Sequence, residues 1–380
     1  MQYDDHIRRF SELLGANADL AFFPISADLQ YLTGLPREFP NFGATIHPGA
    51  WLEGMWMAPA HAPVLTLPRM SAEFGGLGSD AVEVRILGDF DDPVALIRDV
   101  LARFKVPQRP RVALSDRTRG ETVFALQRLY PEATFVSATE LLRPLRAIKS
   151  EDEIALMRRA GELTEASFAE VLPKLKHGMT ELDIMAEVDY QLRRHGSPGP
   201  SFTTALYNAG PNHELIFGHP EKHWRRQLHP PVSILFDFGG IYEGYCYDFG
   251  RTVAFGAPDA EFQRVFDLVM ASQAAGIAAL RAGAVTAAQV DAAARQVIED
   301  AGYGAAFRHR LGHGIGLDVH EPPFLTKTDD TVIQEGMLFT IEPSILFHDR
   351  CSARVEDVVV ARPGGGEPLT RGFQTLRVVD

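Results

Sequence analysis

The sequence contains few cysteines, no long apolar segment and fewer basic than acidic residues. Its 380 residues include only two cysteines, Cys246 and Cys351, which lack the CxxC spacing of a zinc knuckle or a redox pair. No run reaches the roughly 20 apolar residues that a membrane-spanning helix requires. The N-terminus carries early acids and lacks the apolar core of a signal peptide. We therefore expect a cytoplasmic protein in a reducing compartment.

The charge and size of the chain limit its partners and its architecture. Fifty acidic residues against 37 basic ones give a formal net charge of −13, which offers no broad cationic surface to nucleic acid or to anionic lipid. We expect neither as a partner. With 46% hydrophobic residues over 380 positions, the chain can bury a large core, and its length predicts two domains.

Residues 1–145 show the alternation of short apolar runs and helical patterns that is typical of an α/β domain. No GxxxxGKS and no strand-linked GxGxxG occurs there, so we expect a structural or capping role for this domain. Trp51 and Trp56 could shape a pocket, although core packing is the favoured interpretation. The predicted strands are 18–26, 62–67, 82–87 and 111–115, and the clearest predicted helix is 94–104.

A second domain is predicted for residues 146–380, beginning where Ser150 and Glu153 form a capping box. Helical periodicity and terminal glycines predict further helices at 180–195, 259–282 and 286–301. Strand-like runs follow at 232–238, 245–253, 337–345 and 353–360. Paired helices and hairpin strands make this domain α+β.

Two of the predicted strands each carry one aspartate among apolar neighbours. Asp237 and Asp248 lie in SILFDFGGIYEGYCYDFGRTVAFG, and a buried carboxylate needs a counter-charge. Pairing of Arg251 with one of them, with a turn hydrogen bond for the other, is about as plausible from sequence alone as metal binding.

Histidines and glutamates supply the remaining candidates. His309, His313 and His320 lie in the glycine-rich stretch HRLGHGIGLDVHEPP, where glycines let the backbone approach what the histidines bind. Any one of them could be an ordinary polar residue, but three together in this setting favour a site. Glu342 and Glu356 each stand in an apolar strand-like run. A salt bridge from Arg354 to either glutamate is the simpler alternative, but two arginines cannot neutralise four carboxylates.

Four carboxylates and one imidazole in one dry site would repel one another unless cations lie among them. Two divalent ions resolve this repulsion, and oxygen-rich ligation with one imidazole suits Mn²⁺, with Co²⁺, Fe²⁺ or Zn²⁺ as alternatives. Paired metals activate water and stabilise the oxyanion formed at a carbonyl. Hydrolysis of an amide is the expected chemistry.

From about residue 145 to 380 the chain resembles the pita-bread metallopeptidases, the group of prolidase, aminopeptidase P, methionine aminopeptidase and the metal-free creatinase. Five motifs carry the resemblance in the family's order: DFG, GYCYDFGRT, HRLGHGIGLDVHEPP, TIEP and RVED. The two-domain length, with ADLQYLTG at 27–34, is similar to prolidase or aminopeptidase P. The implied fold is a pseudo-twofold sheet flanked by two helix pairs, preceded by a smaller α/β creatinase-type domain, usually in a homodimer.

The resemblance also implies a metal-ligand set. Asp237 would bind one metal through both oxygens, Asp248 and Glu356 would bridge two metals, and His313 and Glu342 would complete the ligand shells.

Further roles are implied for residues around the metals. Glu342 would also move the proton of the bridging hydroxide, and His320 would hydrogen-bond the scissile carbonyl or the tetrahedral intermediate. His309 would lie against the proline of the substrate, and Arg354 would anchor a substrate carboxylate or a nearby acid.

One position departs from the family pattern. The family places a histidine in the loop before the first aspartate, and Phe217 stands at that position here. We expect His219 to serve as a catalytic residue in its place, with His213 and His223 as weaker candidates and Phe217 lining the substrate site.

The leading functional hypothesis is hydrolysis of the bond before proline in dipeptides or short peptides. Phe217 motivates an alternative, a lyase or hydrolase of a small zwitterionic metabolite on the same fold. A non-catalytic module that binds a partner through a degenerate site is a third hypothesis, which the intact ligand set disfavours.

Overall fold

The structure of the chain, a computed structural model, describes residues 3–37, 48–78, 82–215 and 224–379. Contacts between Cα atoms divide it into two compact units, Met1–Arg146 and Ala147–Asp380. Within the described residues, no helix has the length and hydropathy of a membrane span. Both cysteines are buried, and no disulfide joins them.

The first unit is built on one mixed sheet in the order β4-β3-β2-β1-β5-β6. Its strands are β1 (Leu20–Pro24), β2 (Gly54–Met57), β3 (Val64–Pro68), β4 (Glu83–Leu87), β5 (Arg111–Leu114) and β6 (Thr134–Ser137). Its helices are α1 (Tyr3–Asn17), α2 (Ala27–Thr33), α3 (Pro93–Arg103), α4 (Gly120–Leu129) and α5 (Ala138–Ala147). The α/β class predicted for this part of the chain is confirmed.

Strand β2 was not among the strands expected from sequence, and it carries Trp56, one of the two tryptophans considered in the sequence analysis. Trp56 is fully buried, and its indole N–H donates to the hydroxyl of Thr66 at 2.9 Å. Trp51 lies in the same apolar cluster. Core packing is therefore the correct interpretation of both side chains.

The second unit contains two larger sheets, β19-β11-β8-β7 and β13-β12-β14-β17-β18, and two hairpins, β9-β10 and β15-β16. Its helices are α6 (Glu151–Val171), α7 (Glu181–Arg194), α8 (Ala260–Ala279) and α9 (Ala287–Asp300). Its strands are β7 (Ala205–Ala209), β8 (Val232–Phe238), β9 (Ile241–Tyr242), β10 (Tyr245–Cys246), β11 (Phe249–Phe255), β12 (Gly312–Gly314), β13 (Glu321–Leu325), β14 (Leu338–Ile341), β15 (Ser344–Leu346), β16 (Ser352–Arg354), β17 (Asp357–Arg362), β18 (Gly365–Pro368) and β19 (Arg377–Val379).

Local capping signals define where the helices begin. The Ser150 hydroxyl accepts from the backbone N–H of Glu153 at 3.3 Å, and the Glu153 carboxylate accepts from the Ser150 N–H at 2.8 Å, which completes the predicted box. Helix α8 ends three residues before the predicted position 282, because the N–H of Ala282 donates to the carbonyl of Arg362 at 3.0 Å instead of continuing the helix.

A helix pair packs on each of the two larger sheets. On the first sheet, Phe168 of α6 makes edge-on ring contacts with Phe236 and Phe249 at centroid distances of 5.2 and 5.4 Å. On the second, apolar side chains of α8 and α9 share one buried cluster with Phe339 and Ile341 of β14. This is the pita-bread arrangement, and the α+β prediction is confirmed.

Three of the predicted strands are divided in two, and each division falls at an acidic residue. Asp248 separates β10 from β11, Glu342 separates β14 from β15, and Glu356 separates β16 from β17. The chain changes partner strand at each point: β10 pairs with β9 whereas β11 pairs with β8, and β15 pairs with β16 whereas β14 pairs with β17. The three carboxylates therefore lie where sheets meet.

Candidate metal centre

The five side chains predicted as metal ligands come from both larger sheets of the second unit. Asp237 stands near the end of β8, and His313 is the central residue of β12. Asp248, Glu342 and Glu356 occupy the three breaks between strands. Elements distant in sequence thus deliver the side chains to one place.

The structure brings these side chains together with His320 into three overlapping groups. In each group, one potential ligand atom per residue lies within 4.8 Å of the others. Because the groups share members, they form one continuous cluster. The groups are Asp237 with Asp248 and Glu356, His313 with Glu342 and Glu356, and Asp248 with His313 and His320.

The orientation of His313 is the clearest indication of a bound cation. Its Nδ1 lies 3.0 Å from the carbonyl oxygen of Gly314, which can only accept a hydrogen bond, so Nδ1 carries the proton. Its Nε2 lies 3.6 Å from Asp248 Oδ2 and 3.5 Å from Glu342 Oε1. An unprotonated Nε2 would point its lone pair at these two oxygens, which is unfavourable unless a cation lies between them. A backbone acceptor on one ring nitrogen and a metal on the other is the usual arrangement of histidine ligands.

Protonation of His313 does not supply the missing positive charge. Burial, and next the charge of His320, lower the pKa of His313 to about 3. The ring is therefore neutral at neutral pH, as a metal ligand must be.

Arg354 is the one cation directly paired with this cluster among the described residues. Its Nη1 lies 2.6 Å from Asp237 Oδ2 and 3.8 Å from Glu342 Oε2. The simpler alternative from sequence, a salt bridge from Arg354 to a glutamate, thus holds only in part, because the close partner is Asp237. One guanidinium cannot neutralise the remaining acids.

Two carboxylates have no cationic partner in the part of the chain that the structure describes. Asp248 Oδ1 and Glu356 Oε2 are buried without any hydrogen-bond partner. Burial, followed by the charges of neighbouring acids, raises the pKa of both groups well above the usual range. Unpartnered buried carboxylate oxygens are costly, so these residues fit a divalent metal centre.

The pKa values of Glu342 and Asp237 are also raised, although by less than those of Asp248 and Glu356. Burial raises the pKa of Glu342 to about 7, although the nearby charge of Arg354 lowers it. Burial also raises the pKa of Asp237, again against the lowering effect of Arg354. The cluster as a whole disfavours four ionised acids unless further positive charge is present.

Arg251 does not neutralise Asp237 or Asp248, contrary to the alternative considered from sequence. Its guanidinium pairs with Asp357 at 2.6 Å, and both side chains are 2% exposed. Its Nη1 also donates to the carbonyl of Glu356 at 2.6 Å. Arg251 therefore fixes the backbone that carries Glu356.

A glycine and a threonine, neither singled out from sequence, shape the centre. A Cβ at Gly250 would lie 2.8 Å from Glu356 Cβ and 3.0 Å from its Oε2, so only glycine permits this approach. The Thr340 hydroxyl accepts from the His313 N–H at 3.1 Å and donates to Glu342 Oε1 at 3.2 Å. The position of Thr340, two residues before Glu342 on the same strand face, is a signal that could have identified it.

The predicted substrate-contacting histidines flank the cluster. The His320 ring meets the His313 ring edge-on at a centroid distance of 4.0 Å, and His320 is exposed. His309 Nδ1 lies 2.7 Å from the carbonyl oxygen of Arg310, its Nε2 contacts the Ser344 hydroxyl, and Arg354 Nη2 lies 3.5 Å away. Burial and the charge of Arg354 lower the pKa of His309 to about 3, so its ring is neutral.

The predictions for Phe217 and His219 fall outside the described residues, as does His223. His213 is described and buried, and its Nε2 lies 3.2 Å from the carbonyl oxygen of Gln227. His213 belongs to none of the potential ligand groups found among the described residues.

Comparison with known proteins identifies the family. A model of metallopeptidase family M24 matches residues 155–363, which include all five predicted ligands. The chain belongs to metallopeptidase family M24. It is 31% identical over 375 residues to a putative dipeptidase of Bacillus subtilis, covering 97% of this chain and 98% of the relative. It is also 35% identical over 257 residues to an Xaa-Pro dipeptidase of Lactobacillus delbrueckii subsp. lactis, covering 67% of this chain and 68% of the relative.

Solved structures of peptidases are also similar to this chain. A dipeptidase from Pyrococcus horikoshii superposes with a TM-score of 0.84 at 28% identity, covering 98% of this chain and 100% of the other. An X-Pro aminopeptidase from Thermotoga maritima gives 0.81 at 27% identity, covering 98% and 100%. The protein is thus an M24 metallopeptidase with the pita-bread fold, which implies divalent metal ions and a peptide substrate. The non-catalytic hypothesis is wrong.

Proposed function

We propose that this M24 enzyme uses two divalent metal ions to hydrolyse the peptide bond that precedes proline in dipeptides or short peptides. The observation that carries the metal part is the lone pair of His313 facing the oxygens of Asp248 and Glu342. The similarity to an Xaa-Pro dipeptidase supports the proline part.

In this proposal the ions are held by Asp237, Asp248, His313, Glu342 and Glu356, with Mn²⁺ as the expected metal and Co²⁺, Zn²⁺ or Fe²⁺ as alternatives. Ions held there supply the Lewis acidity that lowers the pKa of a water molecule and polarises the peptide carbonyl. Asp248 and Glu356 are buried, so ions held by them would lie in a dry environment, where a charge acts most strongly.

The chain's own residues position the substrate and transfer protons. Glu342, largely buried and in contact with His313, accepts a proton from the attacking water and returns it to the proline nitrogen as the bond breaks. Burial and the charge of Arg310 lower the pKa of His320, so a neutral His320 donates a hydrogen bond to the carbonyl oxygen as negative charge develops there. The neutral His309 ring, 3.5 Å from Arg354, packs against the proline.

Residues outside the described part of the chain complete the proposal. His219 is proposed to take part in proton transfer in place of the family histidine, and Phe217 to line the substrate pocket. A homodimer without nucleic acid or membrane partners remains a prediction.

The test is turnover by protein loaded with Mn²⁺ or Co²⁺ on Leu-Pro, Gly-Pro and Leu-Pro-Gly, with Leu-Ala as the substrate control. We expect turnover of at least one proline peptide and a loss of at least about 100-fold in kcat for Glu342→Gln. Asp330→Asn, an exposed acid outside the cluster, should leave activity unchanged. No turnover of any proline peptide, with turnover in a panel of small zwitterionic metabolites, would favour the alternative function.

A further inference from the structure

Two arginines adjoin the metal centre, and the structure assigns them different states. Arg354 is already paired: its guanidinium lies 2.6 Å from Asp237 and 3.5 Å from His309, and its side chain is 11% exposed. Of the two roles implied for it by the family resemblance, the pairing with a nearby acid is the one observed. Arg354 thus already has an acid as its counter-charge, although its buried Nε has no hydrogen-bond partner among the described residues.

Arg310 is half-buried, and no acid in the described part of the chain pairs with it. It lies between His309 and β12, and its guanidinium carbon is 4.8 Å from the centroid of the Phe324 ring. Among the described residues, no acid lies within 4.0 Å of its nitrogens, and its buried Nε has no hydrogen-bond partner. A partly desolvated guanidinium without a counter-charge is unfavourable, so a ligand anion is the expected partner.

Arg310 lies near the residues that are proposed to contact the scissile bond. Phe324, on which its guanidinium lies, is the strand partner of His313 in the β12–β13 ladder. Burial lowers the pKa of His320, and the charge of Arg310 lowers it further. Burial raises the pKa of Glu342, and the charge of Arg310 is among the causes that oppose this rise. The guanidinium thus lies close to the residues proposed to contact the scissile bond.

We propose that Arg310 is a specificity-determining residue that binds a carboxylate of the substrate. The inference rests on the proposed function, because it assumes a peptide whose scissile bond lies at the metal centre. In a dipeptide ending in proline, the terminal carboxylate is the only obligatory anion, and it is one residue from the scissile bond. A planar guanidinium can hold it through two parallel hydrogen bonds. An acidic side chain before the proline would offer the same chemistry.

The experiment measures kcat and KM for Leu-Pro, Leu-Pro amide and Asp-Pro in the metal-loaded enzyme. Arg310→Met removes the charge and keeps an apolar stem on Phe324. Arg310→Lys keeps the charge but lacks the planar guanidinium that donates two parallel hydrogen bonds. Arg308→Met is the matched control, since Arg308 is exposed and two residues away. We expect Arg310→Met to raise the KM for Leu-Pro about 10- to 100-fold, the worth of a charged hydrogen-bonded pair.

The amide and the acidic dipeptide identify the bound group. If Arg310 binds the terminal carboxylate, the KM for Leu-Pro amide changes less than about threefold in Arg310→Met, and Arg310→Lys lies between the wild type and Arg310→Met for Leu-Pro. A rise in KM confined to Asp-Pro identifies the acidic side chain as the source. Equal rises for all three substrates, or none, would overturn the proposal.

A binding measurement separates this inference from the proposed function. Calorimetric titration of the wild type and Arg310→Met with Leu-Pro and its amide requires no turnover. The inference predicts tighter binding of the acid than of the amide in the wild type and a loss of that preference in the variant. Absence of the preference in the wild type would overturn it, whereas absence of hydrolysis alone would count only against the proposed function.

Discussion

Replacing Glu342 by glutamine should stabilise the metal-free enzyme at neutral pH. Folding raises the pKa of this carboxyl from 4.5 to about 7, chiefly through burial. The stability contributed by the neutral carboxyl is therefore fully present below about pH 4.5 and is lost as the pH rises through about 7. The loss at pH 8 is on the order of 3 kcal/mol. Glutamine stays neutral and can keep the hydrogen bond from Thr340, so it avoids this loss.

Scanning calorimetry in EDTA at pH 5 and pH 8 measures the effect. Glu342 belongs to the second unit, Ala147–Asp380. For a unit of this size, roughly 3 kcal/mol raises Tm by on the order of 10 °C. We expect the Tm of Glu342→Gln to exceed that of the wild type by about this amount at pH 8 and by much less at pH 5.

Two controls sharpen the result. Glu335→Gln changes a glutamate whose side chain is 58% exposed, and it should leave Tm nearly unchanged at both pH values. Saturating Mn²⁺ should raise the Tm of the wild type more than that of Glu342→Gln, because the variant lacks one proposed ligand. A Tm difference in EDTA that does not grow between pH 5 and pH 8 would refute the electrostatic reasoning.

Two further predictions concern buried groups outside the ligand set. Lys149 and Glu321 form an ion pair at 3.0 Å with side chains 3% and 7% exposed, so Lys149→Met should cost about 3–5 kcal/mol by removing the counter-charge of a buried carboxylate. Calorimetry should show partial recovery in the double variant with Glu321→Gln, and no recovery would contradict this. Cys246 and Cys351 are buried, and burial raises the pKa of Cys351 to about 12. A thiol reagent at pH 8 should therefore react with neither cysteine in the native enzyme and with both in denaturant. Rapid reaction of the native enzyme would contradict this prediction.

The sequence predicted the helices and the identity of the clustered residues well, because both depend on local signals. Ser150 and Glu153 specify a helix start through atoms three residues apart, whatever the rest of the chain does. The grouping of Asp237, Asp248 and His313 followed from motifs with strong family resemblance. These predictions needed no knowledge of how the strands pair.

The interruptions of the strands could not be predicted in this way. Asp248, Glu342 and Glu356 each lie in a strand-like run in which apolar residues predominate, so the pattern shows one continuous strand in each case. Where the chain leaves one sheet for another depends on partners distant in sequence, such as the bridge between Gly250 and Glu356. The alternative that Arg251 pairs with Asp237 or Asp248 could be decided only from the structure, because strand register brings Arg251 to Asp357.

Whether each arginine near the cluster is paired with an acid could also be learned only from the structure. The family resemblance gave Arg354 a role and Arg310 none, and the sequence does not show which of the two has an acid as its partner. Only the distances show that Arg354 is paired with Asp237, whereas Arg310 has no acid within reach among the described residues.

Metal content after gel filtration is the most direct test of the claim that dications hold the acid cluster together. Protein equilibrated with excess Mn²⁺ should retain two Mn²⁺ ions per chain by elemental analysis, and Asp248→Asn and Glu356→Gln should each retain fewer than one. The Asp330→Asn control should match the wild type. Failure of the wild type to retain Mn²⁺, Co²⁺, Zn²⁺ or Fe²⁺, or wild-type stoichiometry in both cluster variants, would contradict it.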